Sequence, residues 1–338
     1  MNHNITYVDV CCGLNWGDEA KGKIITHLTK FYKYNFVCRW AGGNNAGHTV
    51  YLNGRVYKTH LVPCGIFYGI PSIVGPDCVV HLESFQKELE YLEHHGFNTR
   101  LVKISPRAHV ITTDHVNEDI ADYRHQGTTS KGIAPCYRDK YARKGIRVHE
   151  IPELAPYLWD EKLYGTILCE GAQGFWLDIN RGNYPYVTSS TTLPYGACSL
   201  GFPPQKIRHI YGATKIYDTR SGIDPEFPES LLEKPHFQRI IEVGKEYGTT
   251  TGRKRKVNWL NLDKLVEAIC ISGTTHVIMS KVDVLETVQL FRVILQKKEV
   301  QFENLREMLE FVENVLKKNC PNMTQLIFSD NVETIYGL

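Results

Sequence analysis

ITYVDVCCGLNWGDEAKGKIITHLTKF, residues 5–31, decides how the rest of the chain is read. Ile5 to Cys12 is a strand-like run. Gly13 to Gly22 is a glycine-bearing turn, and Lys23 to Phe31 reads as helix. Strand, glycine loop and helix form the opening unit of an α/β fold whose ligand sits at the edge of a parallel sheet. Inside the turn, Gly17-Asp18-Glu19-Ala20-Lys21-Gly22-Lys23 fits the spacing GxxxxGK. Such a loop wraps backbone N–H groups around phosphate oxygens, with a lysine charge and a helix N-terminus behind them. The next residue is Ile24, so the hydroxyl that usually ligates Mg²⁺ is missing. Asp18 can supply a carboxylate oxygen in its place. A chance turn is the competing reading of this spacing on its own.

Working outward, Tyr34 to Trp40 is a second strand-like run that ends in AGGNNAGHT, residues 41–49. Ser72 to Gly75 is short and apolar. Leu82, Phe85, Leu89 and Leu92 recur at helical spacing. Residues 115–147 are polar and glycine-bearing, and read as functional loops with short helices. Thr166 to Cys169 leads into EGAQG (170–174), and Leu260 to Cys270 is helical. His276 to Met279 enters Ser280-Lys281-Val282-Asp283. Phe302, Leu305, Leu309, Val312 and Leu316 mark a last helix before a strand at Leu326 to Phe328. Strands alternating with helices predict an α/β fold with a mostly parallel central sheet flanked by helices. With no repeat and no low-complexity linker, 1–338 is expected to form a single elaborated domain, with substrate loops at 115–147 and 248–258.

Lys plus Arg is 39 and Asp plus Glu is 37, a formal charge of +2. That balance argues against a nucleic-acid coater. No apolar run is long enough to span a bilayer. No basic segment and apolar core precede the first strand, so the expected location is cytoplasmic. The ten cysteines are scattered without a CxxC pair. They read as buried free thiols in a reducing compartment.

Four further segments carry chemistry. His48 follows a strand end, where a histidine can donate to a departing phosphate; a surface or capping histidine is the plainer alternative. Lys281 and Asp283 can stack on a purine and accept from the N1–H and exocyclic amine of guanine, a pattern adenine lacks; a surface ion pair is the alternative. TTGRKRK (250–256) suits a small dicarboxylate, because arginine grips carboxylate as a fork. A solvated surface or a nucleic-acid contact would also carry such charges. Gly127-Thr128-Thr129-Ser130-Lys131-Gly132 is of the same kind and suits a monophosphate, with Arg143 and Arg147 following.

Taken in order, WGDEAKGK from Trp16, NAGHT from Asn45, HLVPCGI from His60, GTTSKGIAPCYRDKYARKG from Gly127, EGAQG from Glu170, YPYVTSS from Tyr184, TTGRKRK from Thr250 and SKVDVL from Ser280 closely resemble the adenylosuccinate synthetase family, in its short archaeal-like form. The resemblance implies a P-loop-NTPase-like fold and a ligase that joins IMP to L-aspartate with GTP and Mg²⁺, giving adenylosuccinate, GDP and phosphate through a 6-phosphoryl intermediate. It implies Asp18 as general base at N1 of IMP and metal ligand, and Gly47 as a second metal ligand through its carbonyl. Lys21, His48 and Gln173 are the other implied catalytic residues. GTP contacts are implied at Gly17, Glu19, Ala20, Gly22, Lys23, Gly47, Thr49, Lys281 and Asp283. IMP contacts are implied at Asp18, Asn45, Thr128, Thr129, Gln173 and Thr188. Arg143 is implied to reach the IMP of a second subunit, hence a homodimer. Thr251, Arg253 and Arg255 resemble the aspartate-binding residues.

Departures from the family pattern are expected to matter locally. Ala20 stands where glycine is usual, which alters a loop position that needs positive φ or close approach. Asn44 replaces a common histidine, and Ser130-Lys131 a Gly-Arg pair. Ser221 stands where a ribose-contacting valine often lies. Phe328-Ser329-Asp330-Asn331 lacks a clear Ser-Gly-Pro guanine contact, so preference for GTP rests on Asp283. The nearest rival is a 2-aminoadenylosuccinate synthetase acting on dGMP, whose hallmark is serine at the Asp18 position. A regulatory GTP-binding protein is the remote alternative, and it leaves Asp18 and TTGRKRK without a task.

Overall fold

The computed structural model describes residues 4–248, 252–331 and 335–338. The chain opens with β1 (Ile5–Gly13), crosses the loop 14–20 and enters helix α1 (Lys21–Phe31). It continues through β2 (Phe36–Gly42), the hairpin β3 (His48–Leu52) and β4 (Arg55–Thr59), then β5 (Ser72–Val80), β6 (Val102–Ile104) and β7 (His109–Val110). After a stretch of short helices come β8 (Gly165–Glu170), β9 (Ile207–Lys215), β10 (Tyr217–Arg220) and β11 (Lys256–Asn261). The last strands are β12 (His276–Ser280), β13 (Arg292–Leu295), β14 (Lys298–Gln301) and β15 (Gln325–Ser329).

Nine strands form one sheet in the order β15-β12-β9-β1-β8-β2-β5-β6, with β7 beside β5. Every pairing in it is parallel. The alternation along each strand shows why. Val8, Val10 and Cys12 pack into one apolar cluster and Cys11 into another, while Phe36, Cys38 and Trp40 separate from Val37 in the same way. Both faces are therefore covered, and the strands need apolar residues at every position. A second sheet, β10-β11-β13-β14, mixes parallel and antiparallel pairs. Among the described residues no helix is long and apolar enough to cross a membrane.

Several expectations shift. The short strand expected at Ser72 to Gly75 runs on to Val80. Proline ends most interior strands because it lacks a donor. Here the pairing with β2 slips by one residue opposite Gly75-Pro76 and then resumes. The first helix starts at Lys21 rather than Lys23, with Ala20 as its N-cap residue. The helix expected from Leu260 is Leu262–Ser272, since 256–261 form β11, so the loop expected at 248–258 ends in a strand. The central strand β9 was not expected at all. Its first half carries Arg208, whose guanidinium grips the buried Asp9 carboxylate (Nε–Oδ1 3.0 Å, Nη2–Oδ2 2.6 Å), and this breaks the apolar pattern. All ten cysteines are free, but Cys198 is half-buried and Cys270 exposed, against the expectation of uniform burial.

Candidate active site

The carboxyl ends of β1, β2, β8, β9 and β12 lie along one edge of the parallel sheet, where loops of such folds converge on a ligand. The first loop is tied from within. Glu19 is 1% exposed. Its Oε1 accepts from the N–H of Asn15 (3.1 Å) and Gly17 (2.7 Å), and its Oε2 from Lys21 Nζ (2.9 Å). Lys21 Nζ also donates to the Gln173 carbonyl (2.5 Å). A Cβ on Gly13 would stand 2.5 Å from Glu19 Oε2, so glycine makes room for the carboxylate. Asp18 (φ 62°) and Ala20 (φ 64°) are both left-handed. Such a conformation costs a non-glycine residue about 1–2 kcal/mol, which the Glu19 bonds offset.

Beside this loop lies a buried relay. His48 Nδ1 meets Glu170 Oε1, and Arg39 Nη2 donates to the same oxygen at 2.7 Å. The Cys64 N–H donates to Glu170 Oε2 at 2.7 Å. Burial opposes ionisation of Glu170, but His48, Arg39 and the Cys64 N–H outweigh it and bring the carboxyl down to about 2. The imidazole itself is lowered, first by burial and then by Arg39 and Lys21, against the pull of Glu170. The ring is thus neutral with Nδ1–H donated to Glu170, and Nε2 is buried without a partner. Gln173 is similar: at φ 55° both its amide atoms are buried and unpartnered. Native proteins rarely leave such atoms unsatisfied outside a ligand site.

On the other side of Lys21 stands Asp18, its side chain 30% exposed. Ser221 Oγ (3.2 Å) and Arg255 Nε (2.9 Å) both donate to Oδ2, so Oδ1 has no hydrogen bond among the described residues. Burial raises its carboxyl, but Arg255, Lys215 and Lys21 together outweigh that and hold it below the usual value. Asp18 is therefore ionised at neutral pH, with one oxygen open. Ser221, which bonds Asp18, edges a cavity of about 270 Å³ lined also by Gly127, Thr128, Arg253 and Lys256.

Two groups of residues compare as metal holders. His48, Cys64 and Glu170 lie close enough to share an ion. Arg39 already neutralises Glu170 there, so a cation would have to displace a guanidinium. The open Oδ1 of Asp18 and the half-buried Gly47 backbone offer hard oxygen donors instead, a set that suits Mg²⁺ completed by phosphate and water.

Other expected site residues fall in three places. Asn45 and Thr49 flank His48, the Asn45 Oδ1 capping Gly43 N–H at 3.1 Å. Gly22 faces the Thr49 carbonyl, 2.9 Å from where a Cβ would stand. Thr128 Oγ1 donates to Asp119 (2.8 Å), Thr129 is half-buried beside it, and Thr188 is held by its N–H to Leu177 O (2.8 Å). Arg143 (φ 61°) lies in a different cavity of about 320 Å³ with His109, Lys140, Tyr141 and Arg147. Neither Arg143 nor its neighbours in that cavity line the one edged by Ser221 and Thr128. Thr251 lies outside the described residues.

At the end of β12, Lys281 (φ 70°) donates to the Gly244 carbonyl at 2.7 Å, and the exposed Asp283 opens the helix Val282–Val288. Lys23 differs from the GxxxxGK expectation. Its Nζ turns to Ser329 Oγ and the Asn331 carbonyl, and burial pushes it down to about 8 despite Asp283 and Asp330. Lys21 and Lys23 are two residues apart on a helix and point opposite ways, so the lysine beside His48 is Lys21.

Sequence reading passed over Arg39, Lys215, Glu246 and the relay role of Glu170. A charged residue inside an apolar strand, as in VCRWAG (37–42), is the signal that could have found Arg39.

The sequence profile of a family described as adenylosuccinate synthetase matches residues 10–164 and 153–326. An adenylosuccinate synthetase of Lysinibacillus sphaericus is 37% identical over 342 residues, 84% of this chain and 79% of that one. One of Bacteroides fragilis is 38% identical over 341 residues, 84% and 80% of the two chains. The fully ligated adenylosuccinate synthetase of Plasmodium falciparum superposes with a TM-score of 0.82 at 27% identity, covering 98% of this chain and 99% of that one. A cyanophage S-2L succinoaminodeoxyadenylate synthetase bound to dGMP and dATP shares the fold at 19% identity and a TM-score of 0.69, over 94% of this chain and 100% of that one.

Proposed function

The chain belongs to the adenylosuccinate synthetase family, and from that premise we propose how its own residues divide the work. The reaction is the GTP-dependent ligation of IMP and L-aspartate to adenylosuccinate, GDP and phosphate, with Mg²⁺. The observation that carries the assignment of residues is the pairing of an ionised Asp18 with one open oxygen and a His48 whose Nε2 is buried and unpartnered.

Asp18 takes the N1 proton of IMP, and O6 gains the charge it needs to attack the γ-phosphorus of GTP. The P–O bond to GDP breaks as the O6–P bond forms. Lys21 and His48 face the charge that moves to the departing diphosphate. Because His48 is neutral without ligand, it works as an acid when a polyanion against Nε2 favours the doubly protonated ring that Glu170 steadies. The aspartate amine then attacks C6, phosphate leaves and the amine loses a proton. Mg²⁺ would be held by Asp18 and Gly47, where it supplies charge compensation for the phosphates. Gln173 and the loops at 45, 128–129 and 188 bind IMP. Arg253, Arg255 and Thr251 bind aspartate. Asp283 and Lys281 read guanine, and Gly17, Ala20, Gly22, Thr49 and Lys23 line the rest of the GTP site. Glu19 contributes through the loop it braces, since its carboxylate is spent inside it.

Arg143 belongs, in this reading, to the IMP site of a second subunit, and the enzyme is a homodimer. Its place in a cavity other than the one edged by Ser221, which bonds Asp18, supports that. The ten free thiols fit a reducing compartment, and the cytoplasm is where we place it. The test is product analysis. Protein with Mg²⁺, GTP and aspartate is offered IMP or dGMP, and the products are weighed by mass spectrometry. A succino-adduct from IMP is expected; an adduct mainly from dGMP overturns the choice of substrate.

A further inference from the structure

Glu246 is left without a task by the assignments above, yet it is 0% exposed and holds three charged or polar side chains. Its Oε2 accepts from Lys215 Nζ (2.8 Å) and Arg255 Nη1 (2.7 Å), and its Oε1 accepts from Tyr217 Oη (2.7 Å). The backbone adds to the grip, with Arg255 N–H donating to the Glu246 carbonyl at 3.0 Å. Arg255 is thus shared. Nη1 goes to Glu246, Nε to Asp18, and Nη2 has no hydrogen bond among the described residues.

A guanidinium beside a lone carboxylate prefers the two-pronged fork, with two parallel N–H···O bonds. Arg255 does not complete that fork on Asp18, which would use Nε and Nη2 as Arg208 does on Asp9: Nε alone reaches Asp18, while Nη1 is held by Glu246. The division leaves Asp18 Oδ1 and Arg255 Nη2 open side by side. Oδ1 is what a base needs, and Nη2 is what a carboxylate ligand needs.

We propose that Glu246 is a positioning residue for both halves of the reaction: by holding Arg255 Nη1 it fixes the orientation of the guanidinium, so that Nε rests on Asp18 Oδ2 while Nη2 stays clear of Oδ1 and free for the dicarboxylate substrate. Lys215 balances the second negative charge, and Tyr217 fixes the rotamer of the carboxylate. Glu246 itself touches no substrate. The inference rests on Arg255 being an aspartate ligand.

Glu246→Gln keeps the shape and removes the charge. The expected result is an aspartate KM about tenfold or more higher, with a lower kcat, because Arg255 forks onto Asp18. The GTP KM stays within about twofold, since Lys281 bonds the Gly244 carbonyl and not this side chain. Tyr217→Phe is expected to raise the aspartate KM more mildly. If Glu246→Gln alone does not fold, the double variant with Lys215→Met removes the uncompensated cation and is read in its place. Positional isotope exchange in GTP, with IMP and without aspartate, reports the Asp18 half separately and is expected to slow. Arg255→Met is the control. A normal aspartate KM in Arg255→Met overturns the reading of Arg255. A raised KM there, with a folded Glu246→Gln protein that keeps wild-type constants or loses all three KM values alike, overturns the role of Glu246.

Discussion

The inner wall of this site and its rim are built on opposite plans. The inner wall is made of buried ions whose partners are already in place: Glu19 with Lys21, Glu170 with Arg39 and His48, Glu246 with Lys215 and Arg255. The rim, at 127–131, 143–147 and 253–254, is half-buried or exposed. A buried ion pair gains little stability for its desolvation cost, so its presence is better explained by what it holds still. The wall is preorganised for charge movement, and the rim waits for ligands to complete it. Changes in the wall should act on turnover, and changes at the rim on affinity and on which molecule is accepted.

The largest effect tests the wall. Asp18→Asn is expected to cut turnover by about 10²–10⁴-fold while GTP binding, measured by calorimetry, changes little. The amide keeps an oxygen for Arg255 but cannot take the N1 proton. Near-normal turnover would remove Asp18 from the role of base and take the contrast between wall and rim with it.

The rim is tested by mixing. Arg143→Leu is expected to raise the IMP KM by about tenfold or more. Mixed with the Asp18→Asn protein, it should recover about a quarter of wild-type activity, because half of randomly paired dimers then carry one intact site. No recovery from subunits shown to exchange would put Arg143 in its own subunit's site or in none. Further along the rim, the Asp283 carboxylate has no hydrogen bond to any described residue, and Asp283 opens a helix. Asp283→Asn is expected to narrow the preference for GTP over ATP by about tenfold, read from the ratio of kcat/KM values. An unchanged ratio would shift guanine reading to Ser280 Oγ, which is buried and unpartnered.

The same contrast explains what could be read in the sequence. β1, its glycine loop and α1 were legible because strand, turn and helix follow one another within 27 residues, Ile5 to Phe31. Asp18, His48 and Gln173 stood out as candidates for a similar reason, since they lie in short motifs at strand ends. What was not legible depends on distant pairs. Glu170 meets His48 across 122 positions and Asn15 meets Asp218 across 203, and no local pattern announces such a partner. The GxxxxGK spacing alone points to Lys23, whereas the helix begins two residues earlier than its apolar pattern suggests and turns Lys21 toward His48. β9 was hidden by Arg208, and β5 continues past Pro76 to Val80 where the proline argued for an end, both cases where tertiary pairing overrides a propensity.

The smallest effect concerns the loop between wall and rim. Ala20 sits at φ 64°, ψ 36° as the residue before α1 and is exposed, so its methyl has little to pack against. Glycine there would relieve about 1 kcal/mol of left-handed strain. It would also give the unfolded chain about 0.4–1 kcal/mol more conformational freedom to lose. The two nearly cancel, so Ala20→Gly is expected to leave the protein between unchanged and about 0.6 kcal/mol more stable in urea titration. Turnover should hold, because Glu19 rather than residue 20 fixes the loop. A loss of stability well beyond that range would mean that the methyl packs, and the loop would then belong to the wall.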